Sequence, residues 1–163
     1  MLVSFDDLPD HSRIWIYQSS RPFTEDEIES VRPQLASFLE KWVAHGQDLH
    51  AGFEIKYNRF IVIGINQNLH SASGCSIDAS VHFIQQLEKE YTIDLLDKMN
   101  VTFKQGPYIA YKPLADFRKM VKNKSVSGDT IVFNNLVNTK EEYVSYWEVP
   151  MSESWHNRFL VKK

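Results

Sequence analysis

The chain of 163 residues contains a single cysteine, Cys75. One cysteine excludes a disulfide within the chain, and it excludes a zinc site built from several thiolates. Free thiols are typical of proteins that function in a reducing compartment. The cysteine content therefore predicts a cytoplasmic protein.

Long hydrophobic runs are also missing. The longest apolar stretch, residues 60–65, is far shorter than the ~20 residues that a membrane helix requires. The first residues likewise contain no apolar run of signal-peptide length. We therefore expect no membrane insertion. With 43% hydrophobic residues, the chain can bury one sizeable core, so residues 1–163 are predicted to form a single domain.

Strong positive charge is absent as well, because the net charge is −3. Nucleic-acid binding is therefore not expected. The charge is unevenly distributed. Residues 1–100 carry 8 basic and 15 acidic side chains, a net charge of −7, whereas residues 101–163 carry 10 and 6, a net charge of +4. The basic residues between Lys112 and Lys124 form either a surface for a small anion or a solvated helix face, and we favour the second interpretation.

Apolar periodicity predicts an α+β fold with a mainly antiparallel sheet and helices on one face. Thr24 and Glu27 form a capping box at the start of the first helix, and Gly46 suits a left-handed cap at its end. Pro33 predicts a kink or a new helix start. Strands are predicted at residues 13–18, 49–57, 59–65 and 101–104, and helices at residues 24–45 and 76–91.

The order of these elements, β-α-β-β-α-β, is that of a ferredoxin-like core over about residues 12–105. A C-terminal α/β extension is predicted over about residues 107–163. It begins with a short helix after Pro113 and continues with a strand over residues 129–135. A second capping box, Thr139 with Glu142, opens a last helix that Pro150 is expected to terminate.

The segment "SASGCSIDAS", residues 71–80, allows three interpretations. Cys75 could be a nucleophile at a helix N-terminus, where the helix dipole favours the thiolate. Its base would then be one of three histidines, His50, His70 or His82. Ser73, Gly74 and Ser76 could instead hold a phosphate.

The third interpretation is an ordinary helix start that a serine caps, with Cys75 filling space. We favour it because Asp78, expected in the first turn, opposes both a thiolate and a bound anion. No Walker A motif occurs in the chain, and no lysine lies between Arg59 and Lys89.

A second candidate cluster lies near the C-terminus, where "SESWHNRF" contains Trp155, His156 and Arg158. These side chains could bind an anionic or aromatic ligand. Alternatively, Trp155 and Phe159 anchor a final helical turn to the core and leave His156 and Arg158 solvated, which we favour. The six histidines include no pair at i, i+4, so we expect no metal site and no cofactor.

The whole chain resembles a bacterial family of proteins of similar length that commonly carry the label "ABC transporter ATPase". The resemblance lies in "LPDHSRIWIYQ", "RFIVIGI", "ASGCSIDASVHFIQQLE", "LLDKMNVTFKQG", "DFRKM", "TIVFNNLVNTK" and "SWHNRF". The label implies nucleotide binding. The motifs do not support it, because the P-loop lysine and its Ser/Thr are missing.

The sequence therefore predicts a small cytoplasmic binding or accessory protein without catalysis, whose partner is a small anionic ligand or another protein. Two alternatives stay open. One is a cysteine-dependent enzyme that uses Cys75, and the other is the nucleotide-binding protein that the family label suggests.

Overall fold

The computed structural model describes residues 1–160. It shows an α+β fold in which all paired strands are antiparallel, as predicted. The elements in chain order are β1 (Arg13–Gln18), α1 (Glu25–Lys41), β2 (Val43–Ala44), β3 (Gln47–Asp48), β4 (Ala51–Lys56), β5 (Phe60–Ile65), α2 (Gly74–Tyr91), β6 (Asn100–Gln105), β7 (Tyr108–Pro113), α3 (Leu114–Lys122), β8 (Ile131–Phe133), α4 (Lys140–Tyr146) and β9 (Glu148–Pro150). Three short 3₁₀ helices span Phe5–Asp7, Met151–Glu153 and Trp155–Leu160. Within residues 1–160, no helix is both long and apolar enough to span a bilayer.

The chain forms two compact units. The first contains residues 1–96 and 138–141, and the second contains residues 97–137 and, among the described residues, 142–160. The boundary therefore differs from the predicted one, because residues 97–105, which were expected in the core of residues 12–105, belong to the second unit. The expectation of a single domain stays a prediction, since compact units of one chain need not fold independently.

The first unit is built on a three-stranded sheet with the order β1-β5-β4. Ile63 of the central strand pairs with Trp15 on one side and with Phe53 on the other. Every residue of β5 is buried, which confirms the prediction of a central strand from its uninterrupted apolar sequence. Strands β4 and β5 form the predicted hairpin, and its loop has positive φ angles at Tyr57 and Asn58.

Helices α1 and α2 share one hydrophobic core with this sheet. The core includes Val31, Leu35 and Leu39 of α1, Ile61, Ile63 and Ile65 of β5, and Ile84 and Leu87 of α2. The capping box of Thr24 and Glu27 is present at the start of α1. The amphipathic periodicity in the sequence therefore identified both helices and the faces that they bury.

The N-terminal segment lies against two glycines of the sheet. Gly52 and Gly64 pair with each other across β4 and β5. A Cβ atom on Gly52 would lie 2.8 Å from the carbonyl oxygen of Val3, and one on Gly64 would lie 2.7 Å from Cδ1 of Leu8. Both distances are shorter than van der Waals packing allows. The N-terminal segment can therefore lie this close to the sheet only because the two residues are glycines, which have no Cβ atom.

The end of the first helix differs from the prediction. Helix α1 runs through Pro33, which excludes a new helix start there, and it ends at Lys41, before the predicted residue 45. Gly46 has the expected positive φ of 77°, but it does not cap the helix. It forms a two-residue turn with His45 (φ 51°) between β2 and β3. Positive φ at both turn positions suits the right-handed twist of a tight hairpin, and this explains the glycine.

The expectation that residues 101–104 complete the first sheet is wrong. The chain begins with the split β-α-β arrangement of β1, α1, β4 and β5, but β6 pairs with β7 and β8 in a second sheet. Strand β7 was not predicted; it follows β6 through a tight turn at Gly106, where φ is 61°. Such a hairpin closes only a short loop, so its entropic cost is small compared with pairing to a distant strand.

The second unit contains a four-stranded sheet with the order β7-β6-β8-β9. Phe117 of α3 packs on it in a core that includes Val101, Phe103, Val126, Val132 and Met151. The predicted helix after Pro113 and the predicted strand within residues 129–135 are both present. Pro150 does not terminate the last helix. Helix α4 ends at Tyr146, and Pro150 lies in β9, which pairs with β8.

Candidate functional site

The segment around Cys75 starts helix α2, as the favoured interpretation predicted. Ser73 is the N-cap residue, and its hydroxyl accepts a hydrogen bond from the backbone N–H of Ser76 (3.1 Å). The backbone N–H of Ser73 donates in return to the Ser76 hydroxyl (2.7 Å). The hydroxyl groups of both serines therefore take part in the helix cap. The side chain of Cys75, by contrast, is exposed, so the expectation that it fills space in the core is wrong.

Asp78 does not belong to the first turn of α2. The helix begins at Gly74, which makes Asp78 its fifth residue, and the first turn contains no acidic side chain. This carboxylate therefore opposes a thiolate or an anion at the helix start less strongly than its sequence position suggested. The dipole of a helix acts mainly within its first turn.

Cys75 lies in a groove between the two helices of the first unit, which we call the α1–α2 groove. Its volume is about 840 Å³. Helix α1 contributes Pro33, Gln34, Ser37, Phe38 and Lys41, and Trp42, Val43 and His45 follow it; the segment at and after the α2 cap contributes Ser73, Cys75, Ser76, Ala79 and Phe83. The groove lining therefore includes Ser73 and Ser76 of the predicted phosphate-binding segment but not Gly74.

Stacked aromatic side chains form the apolar part of the groove. The rings of Phe38 and Phe83 lie 4.7 Å apart and only 10° from parallel. Trp42 packs 5.4 Å from Phe38. Its indole Nε1 donates a hydrogen bond to the carbonyl oxygen of Ser76 (2.8 Å). This buried hydrogen bond connects the end of α1 to the first turn of α2.

Lys41 is the charged side chain in the groove lining, His45 lines the groove as well, and no Asp or Glu lines it. Lys41 is in the last turn of α1, on the same helix face as Phe38, three residues earlier. His45 is exposed in the turn between β2 and β3. The groove thus combines an apolar aromatic surface with a basic side chain at its edge.

The three histidines predicted as possible bases, His50, His70 and His82, do not line the α1–α2 groove, whereas His45 does. His82 lines a separate, more polar depression of about 570 Å³ together with Glu88 and Lys89. The short hairpin after α1 brings His45 to the groove, and its only sequence signal is the His-Gly pair that favours a tight turn.

The C-terminal cluster does not form a comparable site. His156, expected to be solvated, is buried with 2% of its surface exposed. Its Nδ1 lies 2.7 Å from the Ser154 hydroxyl, and its ring packs against Phe117. Burial, together with the positive charge of Arg158, lowers the pKa of His156 to about 4. A histidine that stays neutral at pH 7 provides no charge for an anionic ligand.

The other two members of this cluster behave as a surface anchor. The guanidinium of Arg158 lies 5.5 Å from the centre of the Trp155 ring, and Trp155 contacts Phe159 edge to face at 5.9 Å. Phe159 packs against the core of the second unit. The favoured interpretation of an anchoring turn agrees with these contacts, except that His156 belongs to the core.

Within residues 1–160, no group of three or more His, Cys, Asp or Glu side chains could hold a metal ion. No protein-family model, curated protein or solved structure matches the chain. The resemblance seen in the sequence therefore stays a prediction.

Proposed function

We propose that this protein is a non-catalytic binding or accessory protein whose ligand occupies the α1–α2 groove. The observation that carries this proposal is the stacked pair Phe38 and Phe83, which lines the groove while both side chains remain only half-buried. Complete burial of an aromatic side chain contributes about 1.5–3 kcal/mol. A ligand that covers these rings gains part of this free energy.

Size and rigidity also support a binding site. The groove volume of about 840 Å³ falls within the range of roughly 300–1,000 Å³ that is typical of small-molecule sites. The reciprocal cap of Ser73 and Ser76 and the hydrogen bond of Trp42 fix its walls before any ligand arrives. A preformed site avoids the entropic cost of ordering side chains on binding.

The test is an NMR titration of the ¹⁵N-labelled protein with three two-ring compounds of equal size: 2-naphthoate, 2-naphthamide and 2-naphthylmethylamine. We expect at least one of them to shift the amide signals of His45, Gly74 and Cys75 in a saturable manner. The Phe83→Ala variant should lose this response. Val144→Ala, a change at a side chain that is 72% exposed in the second unit, should retain it. The proposal is refuted if none of the three compounds shifts the groove signals.

A cysteine-dependent enzyme remains the second candidate, because Cys75 and His45 line the same groove. An enzyme of this type needs a thiolate that the histidine stabilises. The rate of alkylation by iodoacetamide at pH 7 distinguishes the two functions. A binding protein should react at the rate of free glutathione and should not respond to His45→Gln. An alkylation rate at least tenfold above that of glutathione, together with a decrease of this rate in the His45→Gln variant, would identify the enzyme.

The proposal includes a cytoplasmic location, which the exposed free thiol of Cys75 supports. Alkylation of intact cells before lysis tests it, because a protein in a reducing compartment should be recovered with Cys75 fully alkylated. Recovery of Cys75 as a mixed disulfide would place the protein in an oxidising compartment.

A further inference from the structure

We infer that the ligand of the α1–α2 groove is a small amphipathic carboxylate. Its apolar body would lie on Phe38 and Phe83, and its anionic group would contact Lys41 and His45. This inference rests on the proposed function and names the chemical class of the ligand.

Lys41 is the cation that selects this class. Among residues 1–160, no carboxylate forms an ion pair with it, and no carboxylate lines the groove. The adjacent carboxylate, Glu40, accepts a hydrogen bond from the backbone N–H of Leu2 (2.9 Å) and therefore has a partner other than Lys41. The ammonium of Lys41 is therefore available to a bound anion.

His45 provides a second donor in the same groove. A neutral imidazole retains one N–H and a protonated one has two, so His45 can donate to a carboxylate in either state. Its position in the two-residue turn between Val43–Ala44 and Gln47–Asp48 fixes its backbone at the groove. The two donors and the aromatic pair thus present complementary surfaces to one amphipathic molecule.

The charge of the groove is opposite to that of its surroundings. Residues 1–100 carry a net charge of −7, so the overall field of this part of the chain repels anions. The positive charge of Lys41, with no carboxylate in the groove lining, is therefore confined to the groove and differs from the negative charge around it. Because screening by salt is effective beyond about 10 Å at 0.1 M, a contact inside the groove determines which charge is accepted.

The same three naphthalene compounds test the inference, because they share one aromatic body and carry an anionic, a neutral and a cationic group at the same position. We expect 2-naphthoate to bind about tenfold more tightly than the neutral 2-naphthamide, as a charge-assisted hydrogen bond is worth about one factor of ten or more. The cationic 2-naphthylmethylamine should bind most weakly. In Lys41→Gln, the advantage of naphthoate over the amide should fall to about twofold or less.

The control is Lys56→Gln, which removes one exposed lysine of the same unit outside the groove. It should leave the preference for naphthoate unchanged, and the amide spectrum of both variants verifies that they are folded. Equal affinity for the anion and the amide, or a preference for the amine, would overturn the inference while the proposed function stands. Absence of any groove response to all three compounds would refute both.

Discussion

A buried histidine makes the stability of the second unit sensitive to acid. The side chain of His156 is 2% exposed, with the Ser154 hydroxyl 2.7 Å from Nδ1 and the Phe117 ring against its edge. Desolvation is the main reason why its pKa is lowered from 6.5 to about 4, and the charge of Arg158 adds to the effect. The folded protein therefore resists protonation that the unfolded chain accepts.

The sign and size of the effect follow from proton linkage. Because the pKa of His156 is lower in the folded state, the unfolded state binds more protons between about pH 6.5 and pH 4. The stability that depends on neutral His156 is complete above pH 6.5 and decreases as the pH falls toward 4. Between pH 7.5 and pH 4.5, this decrease amounts to about 2.5 kcal/mol.

The assay is urea denaturation at pH intervals between 7.5 and 4.5, followed by a signal from the second unit. Other groups titrate in this range, so the comparison is with His156→Asn, whose amide can replace the hydrogen bond at Nδ1 but does not titrate. We expect this variant to be less stable at pH 7.5 and to lose about 2.5 kcal/mol less on acidification. The exposed-site variant His82→Gln should follow the original protein. Parallel pH profiles for the His156→Asn variant and the original protein would show that this reasoning is wrong.

Three further predictions concern the first unit and the nucleotide label. The ammonium of Lys140 donates to three carbonyl oxygens between Phe5 and Leu8, at 3.2, 3.0 and 2.7 Å. We expect Lys140→Met to lower the free energy of unfolding, measured by urea denaturation, by about 2–3 kcal/mol. A loss below about 0.5 kcal/mol, which is typical of an ordinary surface lysine, would contradict this. Gly64→Ala should cost about 1–3 kcal/mol because its Cβ would lie 2.7 Å from Leu8 Cδ1, and an unchanged denaturation midpoint would show that the N-terminal segment moves aside freely. Finally, calorimetry should detect no Mg²⁺-dependent ATP binding tighter than about 1 mM, and saturable micromolar binding would support the family label.

The sequence was most informative where the physical signal is local. The capping box of Thr24 and Glu27 lies within one helical turn, and the apolar run of β5 shows that both of its faces are buried. Helices α1 and α2 were predicted from stripes that repeat every three to four residues. These features depend on neighbours in the chain, so a linear pattern is sufficient to identify them.

The sheet to which β6 belongs could not be predicted in this way. Its alternating sequence fits either sheet equally well, because period two specifies a buried face and not a partner strand. The partner was decided by β7, which follows at once and closes a short loop. Likewise, Gly52 and Gly64 have no special local pattern, and only their pairing under the N-terminal segment explains them.

The candidate site shows the same division. The sequence by itself predicted that a serine of residues 71–80 caps the start of a helix, because capping is a local interaction, and the structure places that start at Gly74. Only the tertiary structure decided that this helix start shares a groove with Lys41 and His45, which lie about thirty residues earlier. Packing of two distant helices created the site, and contacts at that separation depend on the whole core of the first unit and on no short segment of the chain.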